Sequence, residues 1–291
     1  MKRAVILLLL AACVAAASCT HPDRIVVGSK NFTEQVILGE LLAQEIERTT
    51  HLAVERRLNL GGTFICHQAL VAGQIDAYVE YTGTALTAIL KDPVRTDAKQ
   101  VYETVRNKYR DQFKVEWAEP LGFNNTFVIV IRGSDAETLK LKTISDAAPY
   151  TKTWTAGFGY EFIEREDGYP GLSKLYGLHF PMPPRVMDLG LTYKALASGQ
   201  VDVIAGNSTD GLIDTLHLFA LEDDRHYFPP YDAVPLLREE VARKHPEVRQ
   251  ALAALAGKIS ESDMRRLNYQ VDGEHRDVAT VVREFLDSRR L

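Results

Sequence analysis

The chain has 291 residues, of which 46% are hydrophobic, 9% aromatic and 25% charged. This composition is typical of a globular protein, and the length allows one large domain or two lobes, each with its own core. The 34 basic and 39 acidic residues give a formal net charge of -5. The sequence therefore does not indicate a basic surface that could bind a phosphate backbone. Nucleic acid is therefore not expected as a partner.

The first 18 residues have the pattern of a lipoprotein-type signal peptide. Two basic residues precede an apolar run over residues 4–10, and small residues lead on to Cys19. A cysteine directly after small residues resembles a bacterial lipobox, in which the cysteine is acylated and becomes the mature N-terminus. Cys13 is the alternative, but acylation there leaves a very short apolar segment. We therefore predict an exported protein, periplasmic or on the outer face of the cell membrane, with a lipid anchor at Cys19.

The sequence provides no framework for a disulfide, a metal or a cofactor. Once Cys19 carries lipid, Cys66 is the only cysteine left in the mature chain, so an intrachain disulfide is excluded. The eight histidines are scattered and lack metal-ligand spacing with carboxylates or thiolates. We therefore expect a receptor or enzyme that depends on its own side chains alone.

Strands and helices alternate in the first part of the predicted mature chain. Residues 24–30 and 53–60 are rich in β-branched and apolar residues, as in strands, whereas apolar residues recur at helical spacing over 32–42. A second helix over 64–72 leads to another strand at 73–79. This alternation predicts an α/β sheet.

A short motif occurs twice, at residues 72–77 (AGQIDA) and 198–203 (SGQVDV). Each copy follows a predicted helix and opens a short strand, so we expect the chain to form the same unit twice. Eight residues past the glycine, the first copy reaches Tyr81 and the second reaches Asn207. We predict that these positions face each other across a cleft. The aspartates of the two copies are interpreted as turn or cap residues and not as catalytic acids.

The later part of the chain contains two more strands and a helical end. Residues 127–131 form a continuous apolar strand, and 231–236 are predicted to be a strand after the turn at 229–230. Both are expected near crossings between lobes. From residue 239 onward, apolar residues at helical spacing predict two or three helices that pack on the first lobe.

Three motifs resemble those of the betaine, choline and carnitine receptors of bacterial ABC importers. They are GSKNFTEQ at residues 28–35, GGT at 61–63 and YVEYTGT at 78–84. The likeness covers nearly the whole predicted mature chain. It continues at 121–123, 161–162, 166–168, 201–204, 221–224, 229–233 and 267–270.

This resemblance implies the fold of a type II periplasmic binding protein. Such a protein has two α/β lobes that are joined by two chain crossings and close on a ligand between them. We accordingly expect lobe 1 at residues 24–125 plus 212–291 and lobe 2 at residues 126–211.

The resemblance also implies an aromatic box for a trimethylammonium group. Such a group has no N–H to donate and spreads its charge over its methyls, so it is held by aromatic faces, each worth about 0.5–2 kcal/mol. The matching positions are Tyr81, Phe127 and Tyr193. The fourth position falls on Asn207, where relatives have a tyrosine.

For a ligand carboxylate, the resemblance points to Lys30, Thr84 and Arg165. Arginine offers a bidentate fork, lysine a point charge and threonine a hydroxyl donor. Buried cations without partners are costly beside a neutral alcohol, so these residues favour a zwitterion over choline.

The resemblance thus implies a solute receptor that captures a quaternary-ammonium zwitterion, such as glycine betaine, and delivers it to the membrane permease of an ABC importer. Choline, carnitine and proline betaine belong to the same ligand class. One alternative is a receptor for ergothioneine, and another is a sensor that docks on a membrane signalling protein. The chain has no activated nucleophile or acid–base pair, so an enzyme is not expected.

Overall fold

The structure, a computed structural model, describes residues 24–289. The predicted signal peptide, residues 1–18, lies outside this range, and so do Cys13 and Cys19. Within the range, no helix combines the length and apolar character needed to cross a membrane. The described residues form two five-stranded sheets with helices packed against them.

The first sheet begins at the start of the described chain. Its opening strands alternate with helices, as predicted. The short helix at Thr82–Thr84 continues as a π-helical turn over Ala85–Ile89. The elements are β1 (Arg24–Lys30), α1 (Thr33–Thr50), β2 (Ala53–Gly61), α2 (Thr63–Val71), β3 (Ala77–Tyr81), α3 (Thr82–Thr84), α4 (Ala98–Phe113) and β4 (Val115–Trp117).

The second sheet is built from the middle of the chain, where strands and short helices again alternate. A 3-10 turn over Ala148–Lys152 follows the short helix at Ile144–Ala147. The elements are β5 (Phe127–Arg132), α5 (Gly133–Leu139), α6 (Ile144–Ala147), β6 (Ala156–Gly159), α7 (Tyr160–Glu164), α8 (Tyr169–Tyr176), β7 (Arg185–Met187), α9 (Leu189–Ala197), β8 (Val203–Asn207), α10 (Leu212–Thr215) and β9 (Leu218–Leu221).

The chain then returns to the first sheet and ends in helices. This last part comprises β10 (Ala233–Arg238), α11 (Glu239–Lys244), α12 (Pro246–Ala254), α13 (Glu261–Asp272) and α14 (Val278–Arg289). Apolar residues of α12, α13 and α14 pack with those of α1 in one core. The helices therefore pack on the first lobe, as predicted, although four of them are found over 239–289.

The two sheets share one arrangement. Their strand orders are β2-β1-β3-β10-β4 and β7-β6-β8-β5-β9. In each sheet the fourth strand runs antiparallel to both neighbours: β10 to β3 and β4, and β5 to β8 and β9. The other pairings, β1 with β2 and β3, and β6 with β7 and β8, are parallel. The chain has thus built the same unit twice.

The chain passes between the sheets twice, between β4 and β5 and between β9 and β10. The sequence had placed the return at residue 212, and this boundary differs from the structure. Strand β9 pairs with β5 from Ile129↔Leu221 to Arg132↔Leu218, so it belongs to the second sheet. Strand β9 and the preceding helix α10 have only 4 residues each. Segments this short show no hydrophobic periodicity, so the sequence did not indicate that β9 pairs with β5.

The repeated motif has the same structural role in both lobes. Asp76 accepts a hydrogen bond from the backbone N–H of Val26 at 2.8 Å, and Asp202 accepts one from Thr155 at 2.8 Å. Each aspartate also binds an arginine of its own sheet, Arg238 or Arg132 respectively. The two carboxylates therefore tie neighbouring strands together, in agreement with a structural and not a catalytic role.

Candidate functional site

A cavity of about 520 Å³ lies between the two lobes. Its wall combines the ends of first-sheet strands, both crossings and the start of α7. Six of the seven predicted ligand-binding residues line it, namely Lys30, Tyr81, Thr84, Phe127, Arg165 and Asn207. The structure therefore brings together most of the side chains that the sequence motifs indicated.

The strand ends explain why these side chains meet. Tyr81 is the last residue of β3, which is parallel to β1, and Asn207 is the last residue of β8, which is parallel to β6. Phe127, the first residue of β5, pairs with Asn207 in the antiparallel ladder. The carboxyl ends of parallel strands are where α/β sheets place ligands. Tyr81 and Asn207, which the repeat predicts to face each other across a cleft, both line this cavity.

The cavity contains an aromatic side chain that the sequence analysis did not assign to the site, Tyr231. Its ring packs edge-on against Phe127, with ring centroids 5.6 Å apart, and its hydroxyl donates to Asp167 at 2.7 Å. Tyr231 had been read only as the start of a strand. The sequence signal that could have placed Tyr231 in the site is its position directly after Pro229-Pro230, at the second crossing. Chain crossings line the base of a cleft between two lobes.

Further aromatic rings complete the wall. Phe162 packs on Phe127 with centroids 5.0 Å apart, and Phe32 stacks on Tyr81 at 6.4 Å with 20° between the ring planes. Tyr160 also lines the cavity and is 67% exposed. The cavity thus presents rings from both lobes and from both crossings.

Tyr193, predicted to belong to the aromatic box, lies elsewhere. It does not line the main cavity, but lines an adjoining one of about 490 Å³ that shares Phe32 and Asn207 with it. The Tyr193 hydroxyl donates to the Asp210 carboxylate and accepts from the backbone N–H of Asn207 at 3.2 Å. It is buried beneath β8, where it contacts Gly206 so closely that a Cβ there would collide with it.

Glu34, in the first turn of α1, orients Tyr81 from behind. This fully buried carboxylate accepts hydrogen bonds from the Tyr81 hydroxyl at 2.6 Å and the Asn125 amide at 2.7 Å. It also accepts from Thr209 at 2.5 Å and Asn268 at 3.1 Å. Burial raises the pKa of Glu34, although the four donors act in the opposite direction. The Tyr81 hydroxyl is thereby fixed, and its ring is left to contact a ligand.

Lys30 is paired within the protein. Its ammonium lies 2.5 Å from Glu80, and the exposed fractions of the two side chains are 3% and 0%. Glu80 also accepts from the Tyr78 hydroxyl at 3.0 Å and from the backbone N–H of Tyr81 at 2.7 Å. The Lys30 charge is therefore balanced by a carboxylate that the sequence analysis had not considered.

Arg165 is paired in the same way. Its Nε donates to Asp167 at 2.9 Å and one terminal nitrogen donates to the second Asp167 oxygen at 2.5 Å. That nitrogen also donates to the Thr84 hydroxyl of the first lobe at 3.2 Å. Burial opposes ionisation of Asp167, but the adjacent guanidinium and its hydrogen bonds outweigh it and hold the pKa of Asp167 below its ordinary value.

Each of these cations also lies over one of the predicted box rings. The Lys30 ammonium is 5.1 Å from the centroid of Tyr81, and the Arg165 guanidinium is 5.2 Å from that of Phe127. A cation at this distance is attracted by the electron density of the ring face. A ligand cation must therefore approach Tyr81 and Phe127 on ring surface that these side chains leave uncovered.

The described residues offer no alternative chemistry based on a metal or a reactive thiol. Among residues 24–289, no group of three or more His, Cys, Asp and Glu side chains is arranged to hold a metal ion. Cys66 is buried, and burial raises the pKa of its thiol to about 12, which leaves it protonated and unreactive near neutral pH.

The sequence model of one protein family matches almost the whole described chain. This family is described as the substrate-binding domain of the ABC-type glycine betaine transport system (OpuAC), and the match covers residues 23–288. The chain belongs to this family. It is therefore the extracytoplasmic substrate-binding protein of an ABC importer and not an enzyme, as predicted.

Individual relatives are similar over nearly the whole of this chain. The carnitine transport binding protein OpuCC of Listeria monocytogenes is 38% identical over 290 residues, which cover 96% of this chain and 93% of that protein. The ergothioneine transport permease/ergothioneine binding protein EgtU of Helicobacter pylori is 37% identical over 264 residues, 90% of this chain and 47% of that protein.

The fold of this OpuAC-family chain is also found in a solved structure. A crystal structure described as a glycine betaine/carnitine/choline ABC transporter has a TM-score of 0.76 at 35% identity, covering 91% of this chain and 98% of that one. With the two-sheet architecture, this similarity confirms the predicted type II periplasmic binding protein fold.

Proposed function

We propose that this OpuAC-family receptor captures a quaternary-ammonium zwitterion, such as glycine betaine, carnitine or proline betaine, and delivers it to the membrane permease. The observation that carries the proposal is the aromatic wall of the inter-lobe cavity. Tyr81, Phe127 and Tyr231 present ring surface from the first lobe and both crossings. Such surfaces suit a methylated ammonium, which has no N–H to donate.

The ligand acts by bridging the lobes. Its trimethylammonium group contacts the rings, and its carboxylate lies towards Thr84 and Arg165, which already touch each other across the cleft at 3.2 Å. A ligand that binds the closed arrangement more tightly than the open one shifts the population towards closure. The permease then recognises the closed surface.

The pairing of both cations changes the argument for a carboxylate. Because Lys30 and Arg165 each have a buried carboxylate partner, neither requires a ligand carboxylate to balance its charge. A zwitterion is favoured instead by remaining donor capacity, since guanidinium and ammonium groups have more N–H groups than the contacts described here use. Choline remains in the same ligand class and belongs in the test.

Calorimetric titration of residues 20–291 against glycine betaine, carnitine, choline, proline betaine and ergothioneine tests the proposed function. We expect saturable binding of at least one zwitterion of this set. Binding of choline alone would contradict the role given to the carboxylate. If none of the five compounds binds, the proposed ligand class is wrong.

Tyr231 and Tyr193 provide a paired test of the aromatic wall. We expect Tyr231→Leu to raise the Kd for the bound zwitterion about tenfold, since it removes one ring from the ligand's surface. Tyr193→Leu removes a ring that lies outside the main cavity and is expected to change Kd less than threefold. Calorimetry on both variants, after their folding is checked by melting, decides between the two positions. A larger loss in Tyr193→Leu would restore Tyr193 to the box.

We also propose that Cys19 carries the lipid anchor. The small residues before it and the apolar run at residues 4–10 support this assignment. Intact-mass analysis of the full chain expressed in a bacterium should show an acylated product that Cys19→Ser abolishes and Cys13→Ser leaves. The reverse pattern would assign the anchor to Cys13.

A further inference from the structure

The N-terminus of α2 has no capping side chain from its own lobe. Its N-cap residue is Gly62, and no acidic residue occurs in the first turn. A helix N-terminus has backbone N–H groups without intrahelical acceptors and the positive end of the helix dipole. The first of these donors is the backbone N–H of Thr63, a fully buried residue whose neighbours Gly62 and Phe64 line the cavity.

The missing acceptor comes from the opposite lobe. Glu161, on α7, accepts a hydrogen bond from the Thr63 backbone N–H at 2.5 Å and from the Thr63 hydroxyl at 3.1 Å. Its carboxylate also lies 3.7 Å from the Arg165 guanidinium of its own lobe. Glu161 thus caps α2 across the cleft, and both of its oxygens are used in contacts with the first lobe.

Gly62 gives independent support for this contact. Its backbone is extended, with φ -78° and ψ -173°, so any residue type is allowed there by conformation. A Cβ at this position would meet a Glu161 carboxylate oxygen at 2.1 Å. The absence of a Cβ at Gly62 therefore leaves room for a side chain from the other lobe, whereas the local backbone conformation does not call for glycine.

We propose that Glu161 is a latch between the lobes, a positioning residue for ligand capture that acts through the N-terminus of α2. The contact uses only the chain's own atoms, so it stabilises the closed cleft and persists when a ligand is enclosed. When the lobes separate, the hydrogen bonds between Thr63 and the Glu161 carboxylate break, and water hydrates both groups. The latch therefore supplies part of the free energy needed to close the lobes. Without it, ligand binding alone would have to supply that free energy.

The latch has a measurable consequence for affinity. If only the closed arrangement holds the ligand tightly, the apparent Kd equals the intrinsic Kd divided by the fraction of protein that is competent to bind. Loss of a hydrogen-bonded contact to a charged group should raise the apparent Kd about tenfold, chiefly through faster dissociation. This part of the inference rests on the proposed function, whereas the effect on lobe spacing does not.

The first measurement therefore needs no ligand. Spin labels at Lys99→Cys on α4 and Lys174→Cys on α8, both exposed in different lobes, report the distance between lobes by double electron–electron resonance. We expect Glu161→Gln and Gly62→Ala each to shift the distance distribution towards the open arrangement. The control Glu166→Gln changes an exposed carboxylate, and Gly190→Ala places a methyl where the nearest atom is 3.4 Å away. Both controls should match the parent protein.

The second measurement is the Kd and dissociation rate for whichever zwitterion the parent protein binds. Gly62→Ala is the decisive variant, because it excludes the carboxylate from α2 without changing the charge of Glu161. Similar weakening in Gly62→Ala and Glu161→Gln supports the latch. Weakening in Glu161→Gln alone would mean that Glu161 touches the ligand directly, and would overturn the proposal.

The two proposals can fail separately. A parent protein that binds none of the compounds removes the proposed ligand class, while the spin-label distances still test the latch. Unchanged distances in both variants overturn the latch even if ligand binding is tight. Thr63→Val, which keeps the backbone N–H but removes the hydroxyl donor, gives a third variant should either of the first two fold poorly. It is expected to produce a smaller shift in the same direction.

Discussion

Replacement of Asp167 by asparagine is expected to lower the free energy of unfolding by about 3–5 kcal/mol, because it leaves the Arg165 guanidinium buried without its counter-charge. The exposed fractions of the two side chains are 4% and 1%, so water cannot take the place of the carboxylate. The Tyr231 hydroxyl loses a charged acceptor in the same step. The variant should also weaken ligand binding, since Arg165, Tyr231 and Phe127 form one contact group.

Chemical denaturation at neutral pH, monitored by tryptophan fluorescence, measures this loss. Glu166→Gln is the matched control, since it neutralises the adjacent, exposed carboxylate and should change stability by less than about 0.5 kcal/mol.

The pH dependence of stability gives a second check on the Arg165–Asp167 pair. The pKa of Asp167 is lower in the folded protein, so its contribution is present above the unfolded pKa and is lost as pH falls towards the folded value. Equal stability of the two variants would show that the pair is not buried in solution.

Asp210 should make the protein more stable as pH falls from neutral towards 4. Burial raises the pKa of this carboxyl from 3.8 to about 7, and the nearby Glu34 acts in the same direction. Between these pH values the unfolded chain has lost the proton while the folded protein keeps it. Stability therefore decreases as pH rises across this interval and is constant above it. At 1.36 kcal/mol per pKa unit the full effect is about 4 kcal/mol, and the partial exposure of the side chain reduces it to about 2–4 kcal/mol.

The difference between the parent protein and Asp210→Asn isolates this contribution from those of other carboxyls. Asparagine keeps a polar group beside Tyr193 and Asn207 but has no proton to lose. Asp272 and Lys194 also act on this region and are present in both proteins. We expect the stability of the parent relative to the variant to fall between pH 4 and pH 7. A difference that is independent of pH would show that Asp210 titrates normally.

Much of the fold was predictable because the signal was periodic or repeated. The strands and helices up to residue 81 follow from apolar spacing, and the repeated Gly-Gln-x-Asp motif indicated the internal duplication. The motif also placed Tyr81 and Asn207 at equivalent strand ends, and hence in one cleft. Strand β9 was missed because 4 residues carry no period, and its partner β5 is more than 80 residues away in the sequence.

The site was harder to predict, because its charges are paired through contacts between distant parts of the chain. Lys30 and Glu80 are 50 residues apart, and only the fold brings β1 beside β3. The resemblance selected Tyr193 and not Tyr231 for the aromatic box, although both are buried tyrosines in the structure. The structure distinguishes them by which cavity each ring reaches.

The internal pairing of Lys30 and Arg165 also determines how the receptor responds to its surroundings. Long-range attraction between a charged ligand and an unpaired charge is screened within about 8 Å at physiological ionic strength and within about 3 Å in molar salt. In this cavity Lys30 and Arg165 are each paired directly with a buried carboxylate. The pairs produce little long-range electrostatic field, so salt has little attraction to screen. On the proposed function, ring surfaces and short contacts hold the ligand, and concentrated salt screens neither. We therefore expect the Kd for the ligand to change little as the salt concentration rises.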